Sequence, residues 1–256
     1  VMPIWRRLPA DWVDQLAAAF ARATNVRSTS TAVFFRADDV AVPGRQLQRL
    51  LEIFTRHNTP LSLAVVPAWL TAPRWKAISR LGASRPNLWC WHQHGWRHRN
   101  HEPQGKKQEF GPCRSPGALC ADLHRGRQRL QAIMGDTFTP IFTPPWNRCS
   151  EITLALLQEM GYAAVSRSRG NEPPAPAGLP DLTVDVDLHT DRAPTGASAW
   201  TQLTDRLADS LSRPTCGIMI HHQRMNEAAF GFLDQLLETL HRQRRLTAID
   251  VRELPL

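Results

Sequence analysis

Apolar residues along this chain follow two alternating rhythms. Short β-branched and aromatic runs give way to longer stretches whose apolar residues recur every three to four positions, the patterns of strand and amphipathic helix. Residues 1–27 read as a helical extension, with an amphipathic helix over 9–20 that carries acidic residues in its first turn. The first strand is predicted over 31–36. Pro43-Gly44 then opens a helix with apolar positions 47, 50, 51 and 54, ending near His57-Asn58. Further strands are predicted at 61–66, 87–91, 139–143, 163–166, 182–187, 216–220 and 246–250. Helices are expected at 72–81, 117–134, 150–160, 197–211 and 226–241. Gly161 stands where a helix is capped by a residue of positive φ, and Pro144-Pro145 stops the fourth strand.

Strand and helix alternate from end to end, with no linker and no repeat of fixed period. That pattern predicts a single α/β domain over 1–256 with a parallel sheet, open or closed into a barrel. About eight strands favour the barrel. The predicted strands are continuously apolar, as expected where both faces are covered. A chain of 256 residues, 42% hydrophobic, suffices for one large core. No apolar run approaches the eighteen or so residues of a membrane span, and no signal-peptide core stands at the start. The five cysteines (90, 113, 120, 149 and 216) form no Cys-x-x-Cys pair and are odd in number. No disulfide framework and a cytoplasmic location are therefore expected. The formal net charge of +8, from 31 basic and 23 acidic residues, favours an anionic partner. The bases are scattered, however. Their densest cluster, Arg242-Gln243-Arg244-Arg245, falls where a helix should end and cations offset its dipole, so dedicated nucleic-acid binding is not expected.

Candidate chemistry gathers where strands should end. Residues 89–101 hold four of the ten histidines: His92, His94, His98 and His101. His94 and His98 are four apart, a spacing that on a helical turn brings two imidazoles to one face. Asp38-Asp39 follows the first predicted strand, Pro144-Pro145-Trp146-Asn147-Arg148 the fourth, and His221-His222 the seventh; Asp185 and Asp187 close the sixth. Each has an ordinary structural explanation. Paired aspartates cap helices, histidines satisfy cores, and Pro-Pro-Trp makes rigid turns. In α/β barrels, however, chemistry sits at the C-terminal strand ends, and five such ends here carry carboxylates, imidazoles or an indole. Two adjacent carboxylates after a buried strand call for positive charge beside them, which a divalent cation would supply.

These residues, in this order, resemble the polysaccharide deacetylase superfamily, carbohydrate esterase family 4 and its relatives. Paired aspartates match in Arg36-Ala37-Asp38-Asp39-Val40, and the His-x-x-x-His motif matches in His94-Gly95-Trp96-Arg97-His98. The Arg-x-Pro-aromatic motif is approximated by Thr143-Pro144-Pro145-Trp146, and a late aliphatic-aliphatic-His motif corresponds to residues 218–222. With the stretch Gly105-Lys106-Lys107-Gln108-Glu109-Phe110-Gly111, the chain is similar to a divergent bacterial branch rather than to chitin or peptidoglycan deacetylases. The resemblance implies a distorted (β/α)7–8 barrel that removes the N-acetyl group from an amino sugar of a surface polysaccharide or its precursor. It implies a divalent ion, Zn²⁺ first, on Asp39, His94 and His98, with Asp38 as general base and His221 or His222 as general acid. The Trp146 backbone N–H would face the oxyanion. Trp146, Pro145 and Trp96 are candidate sugar contacts, and Arg36, Arg148 and Asp187 candidate supports. The basic loop with Lys106, Lys107 and Arg114 suggests an anionic carbohydrate. Two departures stand out. Thr143 replaces the arginine that pairs with the catalytic aspartate, and Val40 replaces a glycine. A metal-binding barrel without hydrolase activity, and an amidase or esterase on a non-glycan substrate, are the alternatives.

Overall fold

The computed structural model describes residues 3–26, 29–189 and 195–254. Helix α1 (Trp12–Val26) leads into strand β1 (Thr31–Val40), and α2 (Arg45–Arg56), β2 (Leu61–Val65), α3 (Ala72–Leu81) and β3 (Trp89–His94) follow. After a long loop come α4 (Pro116–Met134), β4 (Phe138–Thr143), α5 (Glu151–Glu159), β5 (Ala164–Val165) and β6 (Val186–Asp187). The chain closes with α6 (Gly196–Leu211), β7 (Thr215–Ile220), α7 (Glu227–His241) and β8 (Leu246–Ala248). Side-chain oxygens of Thr71, Ser115, Ser150, Thr195 and Asn226 cap five of the helices, each satisfying an otherwise unpaired backbone N–H. Gly161, at φ 67°, follows α5 in the left-handed conformation its position implied.

All strands are parallel and run in the order β5-β4-β3-β2-β1-β7-β6. β1 is long enough to share one edge between two neighbours. β8 pairs with Thr31–Val33 and β2 with the stretch from Arg36 to Val40. The edge strands β5 and β6 do not pair directly. Residues 181–184 instead bridge to the β5 side at Val165↔Asp181 and Ser168↔Val184 before the chain enters β6. The sheet therefore curls into a distorted α/β barrel, as expected.

Side chains on β1 alternate, as strand geometry requires. Val33, Phe35 and Ala37 face the outer core beneath the helices, whereas Phe34 joins Cys90, Ile141, Ala164, Val184 and Met219 in the interior. Above that interior layer the inward positions turn polar: Arg36 and Asp38 on β1, His92 and His94 on β3, Thr143 on β4 and Ser166 after β5 are all buried. The expectation of continuously apolar strands thus fails over their upper halves. Strands β5, β6 and β8 are shorter than predicted, whereas β1 and β3 run three or more residues past their predicted ends, so Asp38, Asp39, His92 and His94 lie within them rather than beyond them. Polar inward side chains hid this, because the alternation they create interrupts an apolar run.

Gly217 on β7 permits the closure. A Cβ there would lie 2.5 Å from Phe34 Cζ, 2.6 Å from the Thr183 carbonyl and 2.8 Å from Val184 Cα. Two of these atoms are main chain and cannot swing aside. Gly217→Ala should cost about 1–3 kcal/mol and lower the melting temperature by several degrees. An unchanged melt would mean that the segment at 183–184 does not rest on β7.

Candidate metal centre

The mouth of the barrel is a cleft of about 310 Å³, lined by Asp38, Asp39, His94, His98, Trp146 and His221 among others. Among the described residues one group is close enough to hold a metal, namely Asp39, His94 and His98, with ligand atoms all within 4.8 Å of one another. Asp39 Oδ1 lies 3.3 Å from His94 Nε2 and 3.2 Å from His98 Nε2. Ligands about 2.0–2.1 Å from a tetrahedral ion stand about 3.4 Å apart, so this spacing fits one. Asp39 Oδ1 is buried and accepts no well-formed hydrogen bond, a costly arrangement unless a cation serves it.

The backbone places each donor. Asp39 and His98 both adopt positive φ, 61° and 58°, which turns their side chains away from the paths of β1 and the loop. The two histidines do not share a helical turn, as their spacing suggested. His94 ends β3, and a loop through Gly95 (φ 57°) carries the chain back to His98. A side chain at Gly95 would collide with Glu109 and Pro145. Glu109, fully buried, braces this loop by accepting backbone N–H groups of Trp96 (3.0 Å), Arg97 (2.7 Å) and Arg99 (3.4 Å). His94 Nδ1–H donates to the Thr143 carbonyl at 2.9 Å, leaving Nε2 as the lone-pair nitrogen a metal needs.

Charges in the cleft are strongly coupled. Burial opposes ionisation of Asp39, but His94 and His98 hold its carboxyl well below the usual range. Burial also disfavours a charged His94, yet Asp39 and Asp38 outweigh it and raise that imidazole. His98 is lowered, by burial and by His94.

Asp38 faces the same cleft and is only 3% exposed. Arg36, 1% exposed, grips it with a fork: Nε donates to Oδ1 at 2.8 Å and Nη2 to Oδ2 at 2.9 Å. Ser166 Oγ (2.8 Å) and Asn147 Oδ1 (2.6 Å) take further guanidinium donors. Desolvation raises the Asp38 pKa, but Arg36, His94 and His221 more than offset it and the net shift is downward. At position 143, where the resemblance placed an arginine, Thr143 Oγ1 instead shares a 2.9 Å hydrogen bond with His92 Nε2. Burial and the nearby Arg36 push His92 down to about 3, so it is neutral.

On the opposite wall, His221 Nδ1 lies 3.7 Å from Asp187 Oδ1. Burial pushes this imidazole down, yet Asp187, Asp38 and Asp39 together raise it. Its neighbour His222 is buried outside the cleft lining, and burial pushes it down to about 4. Asp185 does not share the cleft with Asp187. It is committed to Arg169, Arg213 and the Gly217 N–H.

Trp146, held at φ 57°, packs its ring 4.5 Å from His98, and Arg148 lines the cleft beside it. Trp96 does not line the cleft. It packs on a separate cluster with Phe110 and Phe142. Pro145 is buried beneath the loop against Gly95. The exposed indole at the rim is Trp69, 37% exposed and 5.8 Å from His98. Its turn is fixed by Arg129 donating to the Pro67 and Leu70 carbonyls. Arg114 is not free for a ligand, since it binds Asp122 and the Glu109 and Ala118 carbonyls. Sequence reasoning gave no role to Glu109 or Asn147 and passed over Trp69 and Ser166. Trp69 alone left a signal, an aromatic just past a strand's C-terminal end.

No helix among the described residues is long and apolar enough to cross a membrane. No protein-family model matches the sequence, and a search of curated proteins finds no match. Solved structures do match. A Mycobacterium smegmatis protein assigned as a polysaccharide deacetylase is 16% identical, with a TM-score of 0.65 over 89% of this chain and 90% of that one. A family 4 acetyl xylan esterase from Clostridium thermocellum, solved with a cobalt ion, is 15% identical with a TM-score of 0.59 over 88% and 90%. A family 4 pseudoenzyme from Bacillus anthracis is 13% identical with a TM-score of 0.55 over 89% and 66%. The chain therefore has the fold of the polysaccharide deacetylases of carbohydrate esterase family 4, at 13–17% sequence identity.

Proposed function

We propose that this chain, acting as one domain, is a metal-dependent deacetylase that hydrolyses the N-acetyl group of an amino sugar in a surface polysaccharide or its precursor. The observation that carries this reading is the joint geometry of one wall: an Asp39/His94/His98 donor set beside a separate carboxylate, Asp38, held ionised by Arg36. Asp39, His94 and His98 would hold a divalent ion, Zn²⁺ first among them. Such an ion polarises a carbonyl and acidifies water toward a pKa of about 7.

The remaining chemistry belongs to the chain's own groups. Asp38 accepts the proton of the attacking water. The main-chain N–H of Trp146 is assigned to the oxygen that gains charge as the carbonyl is attacked. His221, whose imidazole is raised by Asp187, Asp38 and Asp39, donates a proton to the departing amine. Buried and neutral His222 is the weaker candidate. Trp146 and exposed Trp69 offer apolar faces around His98 on which a sugar ring can lie.

Thr143 in place of the arginine was the motive for a barrel without hydrolase activity. The fork from Arg36 supplies the same charge to Asp38 from β1 and supports the hydrolytic reading. Acetate release should be assayed over N-acetylated and O-acetylated sugars with Zn²⁺-loaded protein and with Asp39→Ala. Release from at least one N-acetyl sugar, lost in the variant, is the expected result. Release only from O-acetyl esters would make the chain an esterase, and equal release by both proteins would remove Asp39 from the mechanism.

A further inference from the structure

A second cleft, of about 230 Å³, opens beside the same histidine loop. Its walls carry Arg97, Arg99, Arg125 and His101, with Trp96 as their aromatic neighbour. The two carboxylates in it are already committed. Glu109 accepts the three backbone N–H groups of the loop, and Asp122 is held by Arg114 at 2.6 Å and Arg125 at 3.3 Å. Among the described residues neither Arg97 nor Arg99 pairs with a carboxylate, and the Arg97 guanidinium lies 5.7 Å from the Trp96 ring. Both arginines are exposed at their tips while Glu109 fixes their main chain. Two exposed guanidinium groups without a carboxylate partner, lining one cleft with an indole, make a place for an oxyanion carried on a sugar ring.

The two clefts share one loop. His98 belongs to the metal centre, and Trp96, Arg97 and Arg99 to the second cleft. Trp96 is two residues from His98, so their backbones are at most about 7 Å apart. The two clefts are therefore neighbours along one loop.

We propose that this cleft is a subsite for an acidic sugar next to the acetamido sugar in the metal cleft. Arg97 and Arg99 bind its oxyanion, and Trp96 lies against its ring. The proposal rests on the deacetylase reading for the glycan but not for the charge, and this separates the two in the test. The oxyanion has two sources, the carboxylate of a uronic sugar or a phosphate ester, both of which a guanidinium fork binds through two oxygens, and separate probes distinguish them.

The test is calorimetric binding at low salt of three probes: a hyaluronan tetrasaccharide (uronate next to N-acetylglucosamine), N-acetylglucosamine 1-phosphate, and neutral chitotetraose. Wild type should bind the hyaluronan tetrasaccharide at least about tenfold more tightly than chitotetraose, and about 0.5 M NaCl should erase the difference. The double variant Arg97→Gln/Arg99→Gln should lose the preference while keeping metal content and acetate release from a small neutral substrate. Asp39→Ala should keep the preference. Tight binding of the phosphate probe alone, lost in the double variant, would keep the oxyanion subsite and replace its source. Equal affinity of wild type for charged and neutral probes, or a preference that survives the double substitution, would overturn the subsite. A preference seen without any acetate release would leave the subsite standing and sink the deacetylase reading.

Discussion

Asp38→Asn should lower turnover by about 10²–10⁴-fold while the protein still binds one metal ion per chain. Asp38 is not among the three donors of the candidate centre, so its loss leaves the ligands in place. What disappears is a buried carboxylate facing the cleft, held ionised by Arg36 against the cost of burial. Asparagine has nearly the same shape but cannot accept the proton of an attacking water. The substitution also leaves the Arg36 guanidinium without its anion, so some stability is lost too. Turnover is therefore compared well below the onset of melting, alongside metal content. Unchanged turnover would take the role of base from Asp38, and loss of metal would make it part of the ligand set.

Arg36→Met carries the second large effect, on the fold itself. Met preserves most of the volume but removes a buried charge that binds Asp38 through two hydrogen bonds and also reaches Ser166 and Asn147. Breaking one partner of a buried ion pair costs about 3–5 kcal/mol, measurable as a fall in the denaturant midpoint. The sign of the pH effect follows from the shift on Asp38. A carboxyl lowered on folding adds stability above its unfolded pKa and loses it as the pH falls toward the folded value. Without Arg36, burial is the largest influence left and raises the folded pKa. With only His94 and His221 left to oppose burial, the contribution at neutral pH shrinks, and the acid limb of the rate profile moves to higher pH. Arg36→Lys keeps the charge but not the fork, so it should recover part of both losses. A limb that stays in place in Arg36→Met would show that the arginine serves only packing.

How much of this could be read from the chain alone depends on which force set each feature. Helices such as α4 and α7 and the apolar halves of the strands were legible, because burial writes its period directly into the sequence. The upper halves of β1 and β3 were not, since their inward positions carry Arg36, Asp38, His92 and His94, which read locally as loop. For the same reason His94 and His98 looked like neighbours on a helical turn. Their meeting depends instead on positive φ at Gly95 and His98 and on Glu109 reaching across from ten or more residues away. Arg36 was among the candidate supports, and strand geometry singles it out from Arg148 as the partner of Asp38: it lies two residues before Asp38 on one strand, so both side chains share a face. Trp96 and Trp69 could not have been told apart. The first is drawn down onto Phe110 and Phe142, the second held out at the rim, and only the folded chain decides which.

The central claim is that Asp39, His94 and His98 together hold one divalent ion. Its most direct test is equilibrium titration of chelator-stripped protein with Zn²⁺, followed by metal analysis after desalting. Wild type and Asp38→Asn should each retain one ion per chain, whereas Asp39→Ala and His94→Ala should fold but retain essentially none. Stoichiometric metal in both ligand variants, or none in the wild type, would contradict the account.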